Sequence, residues 1–381
     1  MKVHLEHSFT DLPGIIQRAL SQPGNNPFFN AHFLRLLEQT GCVCEQSGWQ
    51  PQHLWVEKDQ MPVFYMPVYL KNHSWGEFVF DQSWAQAYAR VGLQYYPKLV
   101  SCIPFTPSLG PRWWCAAQQS ETDLLGQVLA YIDMMLDQLK ASSWHMLFSE
   151  AKPPMDSSGQ VGWGLMLRHD TQFHWLNHGY QHFDDFLNQL KSRKRKGLRK
   201  EREKVASQGV RLQRKLGAEL SEQDWQRFYV CYCNTYHERG MNPYLSETFF
   251  VQLWQSMPEK LMMVQALEEE QMIGAAIFFY DDKVLYGRHW GAIKHVDCLH
   301  FEACFYQGIE FCIERGLQRF DPGTQGEHKL LRGFEPVKTD SWHKVAHSGF
   351  QQAIADYLQA ESSQVERYQS SAAEYLPFKR E

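Results

Sequence analysis

Three strand-like segments follow one another between Leu261 and Trp290, and what comes next sets the fold. Leu261–Glu268, Met272–Tyr280 and Lys283–Trp290 are strongly apolar, and only Glu269-Glu270-Gln271 and Asp281-Asp282 separate them. Connections this short join antiparallel neighbours. Leu299–Arg315 then carries apolar residues at three- and four-residue spacing, as an amphipathic helix does, and Gly316 stops it. Arg319-Phe-Asp321 reads as a short strand. The first half repeats this order, with strands within Val63–Phe80 (including Glu77–Phe80), a helix over Thr122–Leu139 and a strand at His145–Phe148. An α/β fold present in two copies is therefore expected, divided into domains 1–170 and 171–381. The second domain would hold a long helix from His182 to Ser207, split by Gly197, whose basic part spans 184–208, and a polar terminal helix over Ala353–Ala373. Upstream, Asn26-Pro-Phe is expected to open a helix through Leu37.

The 381 residues are enough for two cores. No run approaches the ~18 apolar residues that a membrane helix needs. The first residues, MKVHLEHSFTDLPG, do not read as a secretion signal, so a cytoplasmic location is expected. Nine scattered cysteines do not suggest a disulfide framework. The pairs Cys42/Cys44 and Cys231/Cys233 lack zinc-site spacing and are read as buried free thiols, with no metal expected. The net charge of −5 hides an asymmetry: Lys191–Lys215 holds 12 basic and 2 acidic residues. Arg193, Arg195, Lys196, Arg199 and Lys200 gather within this stretch and suit tRNA or a pyrophosphate.

Three further stretches carry chemistry. Tyr286-Gly-Arg-His-Trp-Gly-Ala292 sets Arg288, His289 and Trp290 between glycines at a strand end, where a ligand can approach the backbone. His300 and Glu302 open the following helix. After Asp321-Pro-Gly come Gln325, Glu327, His328, Lys329 and Arg332. Glu327 or His328 is a candidate general base for an amine, while Lys329 and Arg332 suit a carboxylate or phosphate. A weaker counterpart lies in the first half, where His73 and Glu77 sit in Lys71–Asp81. His174 and Trp175 sit in Gln172-Phe-His-Trp175.

As a set, the stretches Lys71-Asn-His-Ser-Trp-Gly-Glu-Phe-Val-Phe-Asp81, Tyr95-Tyr-Pro-Lys98, Pro104-Phe-Thr-Pro107, Gln172–Trp175, Ser192–Lys196, Tyr286–Gly291, Leu299–Glu302, Gln325–Lys329 and Arg332–Phe334 resemble the bacterial FemAB-like (peptidoglycan biosynthesis/recognition) family of the GNAT acyltransferase superfamily. The resemblance implies tandem GNAT-like domains, with mixed and mostly antiparallel sheets flanked by helices. It also implies an N-acyl or aminoacyl transferase with a cell-wall role that acts on a small-molecule or peptide amine. The donor would be aminoacyl-tRNA or acyl-CoA. Many GNAT enzymes hold coenzyme A on a Gly-rich turn, whereas the matching connection here, Ile293–Cys298, has no glycine. That departure favours a different donor, such as aminoacyl-tRNA or a carrier-bound acyl group. On this reading Glu327 or His328 takes the proton, His289 and His300 orient the acceptor, and backbone N–H groups near Trp290–Ala292 meet the oxyanion. Two other readings are an acyl-CoA N-acetyltransferase and a non-catalytic module that stacks Trp175, Trp290 and Phe334 on amino-sugar faces.

Overall fold

The computed structural model describes residues 1–152, 154, 161–324 and 326–379. The chain forms two compact units, one of Met1–Thr171 with Lys338–Arg367 and one of Gln172–Val337 with Tyr368–Glu381. The expected division after residue 170 left everything downstream in the second domain. Instead Lys338–Arg367, with much of the terminal helix Ser348–Glu374, belongs to the first unit. The cause is the strand Glu335–Val345. Its later half pairs antiparallel with Ser143–Leu147, setting Trp342 opposite Met146 and His343 opposite His145.

In the first unit, Lys2–Glu6, His53–Lys58, Met61–Met66 and Trp114–Cys115 form one antiparallel sheet. Trp49–Pro51, Tyr69–Lys71, Lys98–Ser101 and Ser143–Leu147 follow one another in a second. The helix Glu121–Gln138 starts where the Ser120 side chain accepts from the Asp123 N–H. It buries Leu124, Val128, Ile132 and Met135 against Leu54, Val56, Phe64, Trp144 and Trp342. Lys2–Glu6 is the edge strand of the first of these sheets. Two local expectations change. The helix expected from Asn26 begins at Ala31, after Asn30 accepts from the His32 N–H. Glu77–Phe80 is a loop, with Phe78 at φ 60.

His145 and His343 are buried, with their Nδ1 atoms 2.6 Å apart. One ring must donate and the other accept, so at most one can carry a charge. Burial, reinforced by nearby Lys98 and Arg168, holds both well below the usual histidine range.

In the second unit, Arg211–Leu216, Leu261–Glu268, Gln271–Tyr280 and Val284–Ala292 are successive antiparallel neighbours. Arg319–Asp321 returns parallel to Val284–Ala292 after the helical crossover. Its other edge pairs with the end of Met166–Leu176. The expected long basic helix is two helices, Phe183–Gln189 and Ser192–Ser207. The break falls at Leu190, and Gly197 lies inside the second helix. The crossover is also irregular, with Leu299–Phe301, a π-helical stretch Glu302–Tyr306, and Gln307–Arg315. It packs closely on the sheet: a Cβ on Gly308 would lie 2.6 Å from the Phe320 ring. Among the described residues, no helix is long and apolar enough to cross a membrane.

The helix Glu222–His237 lies directly on the strand Val284–Ala292, and a Cβ on Gly291 would stand 2.1 Å from the Cys231 carbonyl oxygen. Gly291→Ala is expected to destabilise the protein by about 3 kcal/mol through overpacking. Gly197→Ala, in an open helical position, is expected to stabilise it by about 0.5–1 kcal/mol. Chemical denaturation checks both. The unfolded chain protonates His145 and His343 near pH 6.5, but the folded chain does so only at much lower pH. Stability should therefore fall as pH drops below about 6.5. In a His145→Gln/His343→Gln variant that folds, the fall should be shallower over that window.

Candidate active site

The second-unit site is built where the strand Arg319–Asp321 ends. Asp321 is fully buried. Its Oδ1 accepts from the Gly323 N–H at 2.9 Å and lies 3.6 Å from His174 Nε2. Its Oδ2 has no hydrogen-bond partner among the described residues. The Lys329 ammonium is buried beside this turn and donates to the carbonyls of Gly323 (3.0 Å) and Thr324 (3.2 Å). Burial lowers the Lys329 amine to about 8, with Asp321 opposing the shift.

Arg288 reaches the same turn from the neighbouring strand. Across Gln271–Tyr280, Ile277 faces His289 and Phe278 faces Gly287, so Arg288 is the extra residue of a β-bulge. Its guanidinium would lie 3.4 Å from a Cβ on Gly323, which also sits at φ 78. Burial lowers Arg288 to about 10, and Asp321 works against the shift. One carboxylate therefore serves two desolvated cations. Burial also lowers His174 to about 4, so it is neutral near pH 7. Its Nε2 lies 3.1 Å from Gln172 Oε1, and its Nδ1 is unpartnered. That assigns the proton to Nε2.

An aromatic wall stands next to this turn. The His300 ring lies 5.7 Å from Trp290, 5.3 Å from Phe305 and 6.2 Å from His328, and His328 also contacts Phe301 and Phe305. Burial lowers His300 to about 4, with His328, Lys329 and Arg332 adding to the shift. His328 is lowered by burial and then by Lys329 and Arg332. Two imidazoles, uncharged near pH 7, thus stand in a positive field that suits an anionic group.

Other expected site residues have structural partners. Arg332 donates to Tyr306 Oη (3.1 Å), the His328 carbonyl (2.8 Å) and Glu201 (2.7 Å), and stacks 3.4 Å above Phe301. Glu302 is gripped at both oxygens by Arg202 and accepts from Gln307. Glu327 is exposed and accepts from the Tyr368 hydroxyl at 2.9 Å. His289 is stacked edge-on between Tyr232 and Phe250, not in the wall. Trp175 and Phe334 are core residues with no face open for sugar stacking. His73 and Glu77 belong to the first unit, and Gln325 lies outside the described residues. In the basic helix, Arg199 pairs with Asp184 and Arg195 lies 3.4 Å from Asn188, while Arg193, Lys196 and Lys200 are exposed. The cysteine pairs are each half as expected: Cys42 and Cys231 are buried, but Cys44 and Cys233 are partly exposed. The connection without glycine still turns left-handed before the crossover, at Cys298 (φ 66). The absence of glycine therefore does not exclude a turn suited to coenzyme A.

A family model described as peptidoglycan biosynthesis/recognition matches residues 13–380. The chain belongs to the FemAB-like family. No curated protein matches its sequence. Among solved structures, FemX is 10% identical, covers 93% of this chain and 100% of its own, and superposes with a TM-score of 0.52. That likeness shows a shared fold. L-PGS from Bacillus licheniformis is 10% identical, over 85% of this chain and 95% of its own, with a TM-score of 0.49. A tandem GNAT protein from the clavulanic acid biosynthesis pathway is 8% identical, over 91% and 98%, at 0.44. This FemAB-like protein is thus α/β, with mostly antiparallel sheets flanked by helices in each unit.

The residue that sequence reading passed over is Asp321, taken only as a strand end. Its signal was a carboxylate closing an apolar strand just before Pro322-Gly323. Asp321→Asn leaves Arg288 and Lys329 desolvated without their counter-charge. It should cost about 3–5 kcal/mol in denaturant unfolding. In a folded Asp321→Asn sample, NMR titration should show the Lys329 amine falling below its wild-type value of about 8.

Proposed function

We propose that this FemAB-like protein is an N-acyl or aminoacyl transferase whose chemistry is carried by the second unit. The observation behind this reading is the His300–His328 pair, uncharged in the field of Lys329 and Arg332 and set against Trp290 near a strand end. A neutral imidazole can take a proton from an attacking amine, and buried cations can hold the anionic part of a donor or acceptor. His328 is the more exposed of the two rings and is assigned as the base. The acceptor nitrogen attacks the acyl carbonyl, and a C–N bond forms. The ester or thioester bond to the donor breaks, and the amine proton passes through His328 to the leaving oxygen or sulfur. His300 orients the acceptor against Trp290. Lys329, held by the Gly323 and Thr324 carbonyls, and Arg288, beside the same turn, face the acceptor's carboxylate. Exposed Arg193, Lys196 and Lys200 favour aminoacyl-tRNA as donor, since they can meet phosphates without giving up an internal ion pair. The family description, peptidoglycan biosynthesis/recognition, supports an acceptor among cell-wall precursors.

Purified protein given charged tRNA or acyl-CoA and a panel of amines should form an amide detectable by mass spectrometry. His328→Asn should lower kcat/KM by at least ~10². Glu327→Gln should leave it within about twofold, because that carboxylate is turned to Tyr368. With His328 as base, kcat/KM should be level through pH 7 and fall on the acid side at a pKa below 6.5. An unchanged rate in His328→Asn would remove this residue from the mechanism. Turnover of neither donor would remove the transferase reading.

A further inference from the structure

The segment that carries His328 depends on outside ties for its position. Glu327–Arg332 is a six-residue 3₁₀ helix, bounded by Gly326 at φ 107 and Gly333 at φ 83. Glycines in the left-handed region let the chain pivot at both ends, and a 3₁₀ helix this short has poor hydrogen-bond geometry of its own. Leu330 packs into the core of the unit. Lys329 ties back to Gly323, only six residues away, so that contact moves with the turn. The polar tie to distant elements is Arg332.

Arg332 is 5% exposed, and each of its three nitrogens meets a different segment. Nη1 donates to the His328 carbonyl at 2.8 Å, Nε to Tyr306 Oη at 3.1 Å and Nη2 to Glu201 Oε1 at 2.7 Å. The guanidinium also lies 3.4 Å over the Phe301 ring, which stands 5.7 Å from the His328 ring. A planar fork can hold these directions at once, whereas an ammonium cannot. The Tyr306 hydroxyl donates to the second Glu201 oxygen, Oε2. Glu201, Tyr306 and Arg332 thus close a ring of hydrogen bonds in which both carboxylate oxygens are used. Tyr306 ends the π-helical stretch Glu302–Tyr306, a rare conformation that occurs frequently at functional sites. Glu201 comes from the helix Ser192–Ser207, the same helix that exposes Arg193, Lys196 and Lys200. Its influence on His328 passes through Arg332.

We propose that Glu201 is a positioning residue for the transfer reaction: it anchors Arg332, and Arg332 fixes the His328 backbone and the Phe301 ring beside the imidazole. This inference rests on His328 as the base. It makes one helix serve both substrates, with exposed cations for the donor on one face and the anchor of the base on another.

The test is NMR titration of His328 in full-length wild type, Glu201→Ala and Glu201→Gln, followed by kinetics. Lys329 and Arg332 are the charges that act on His328, and His300 faces it. In Glu201→Ala the guanidinium is released and its charge moves away, so the His328 midpoint should rise toward 6.5. Glu201→Gln keeps an oxygen for Arg332 and should titrate near the wild type. An unmoved or lower midpoint in Glu201→Ala would overturn the proposal, and so would equal shifts in both variants, since charge rather than anchoring would then be at work. In turnover, Glu201→Ala should lower kcat about tenfold and leave the donor KM within about twofold, with Glu201→Gln restoring most of the loss. A change confined to KM would also overturn it. The titration needs no substrate, so the two failures look different: a failed anchor leaves His328 unmoved, whereas a failed transferase reading leaves the wild type without turnover. If Glu201→Ala does not fold, Tyr306→Phe removes the shared hydroxyl and no charge. It should raise the His328 midpoint in the same sense, and an unmoved midpoint there overturns the proposal.

Discussion

Two desolvated cations leaning on one carboxylate are the constraint around which the second unit is arranged. Arg288 and Lys329 come from different elements, and neither can be buried cheaply without Asp321. The strand must therefore end with its carboxylate turned inward, and the next turn must be tight enough for Lys329 to reach two of its carbonyls. Gly323 meets that demand, because it takes a positive φ and leaves room for the Arg288 guanidinium. The bulge at Arg288 is the matching device on the adjacent strand: one extra residue brings a long side chain to the Gly323 turn without breaking the flanking register. The imidazole pair inherits part of its electrostatics from this arrangement, since Lys329, whose charge Asp321 supports, helps to keep His300 and His328 unprotonated.

Elements whose cause is local were legible in the sequence. The three apolar segments, the helical crossover and the short return strand follow from periodicity, and they appear as read. Readings failed where the cause lies far along the chain. Glu302 looked like a free carboxylate at a helix start, but its partner Arg202 is 100 residues upstream, in the basic stretch that by sequence suits tRNA or a pyrophosphate. Arg332 looked available for a ligand until Glu201, 131 residues away, turned out to hold it. Glu77–Phe80 has a strand-like composition, yet Lys98, 21 residues beyond Glu77, draws its carboxylates inward and leaves aromatic side chains outside. His300, His328 and Lys329 were identified by type and clustering. Asp321 was not, because only burial separates it from any other strand-ending aspartate.

The basic helix illustrates how charge counts mislead. Its excess of lysine and arginine invites one explanation for the whole run, but the residues divide by face. Arg202 ties the helix to Glu302 and Glu310, and Lys204 reaches Asp297. Arg193, Lys196 and Lys200 point to water. The first set holds the helix against the crossover, and only the second is free to meet a polyanion.

The pairing of Glu335–Val345 with Ser143–Leu147 has a consequence for how the polypeptide matures on the ribosome. Trp342 is part of the first unit's core and His343 completes its buried histidine pair, yet both are translated after the whole of Gln172–Val337. The amino-terminal unit thus cannot close as it emerges. Its Trp144 and Met146 face an empty slot while more than 160 further residues are synthesised, roughly ten to thirty seconds at ordinary elongation rates. For that interval the nascent chain exposes an apolar strand edge, and a holding chaperone would have most to protect there.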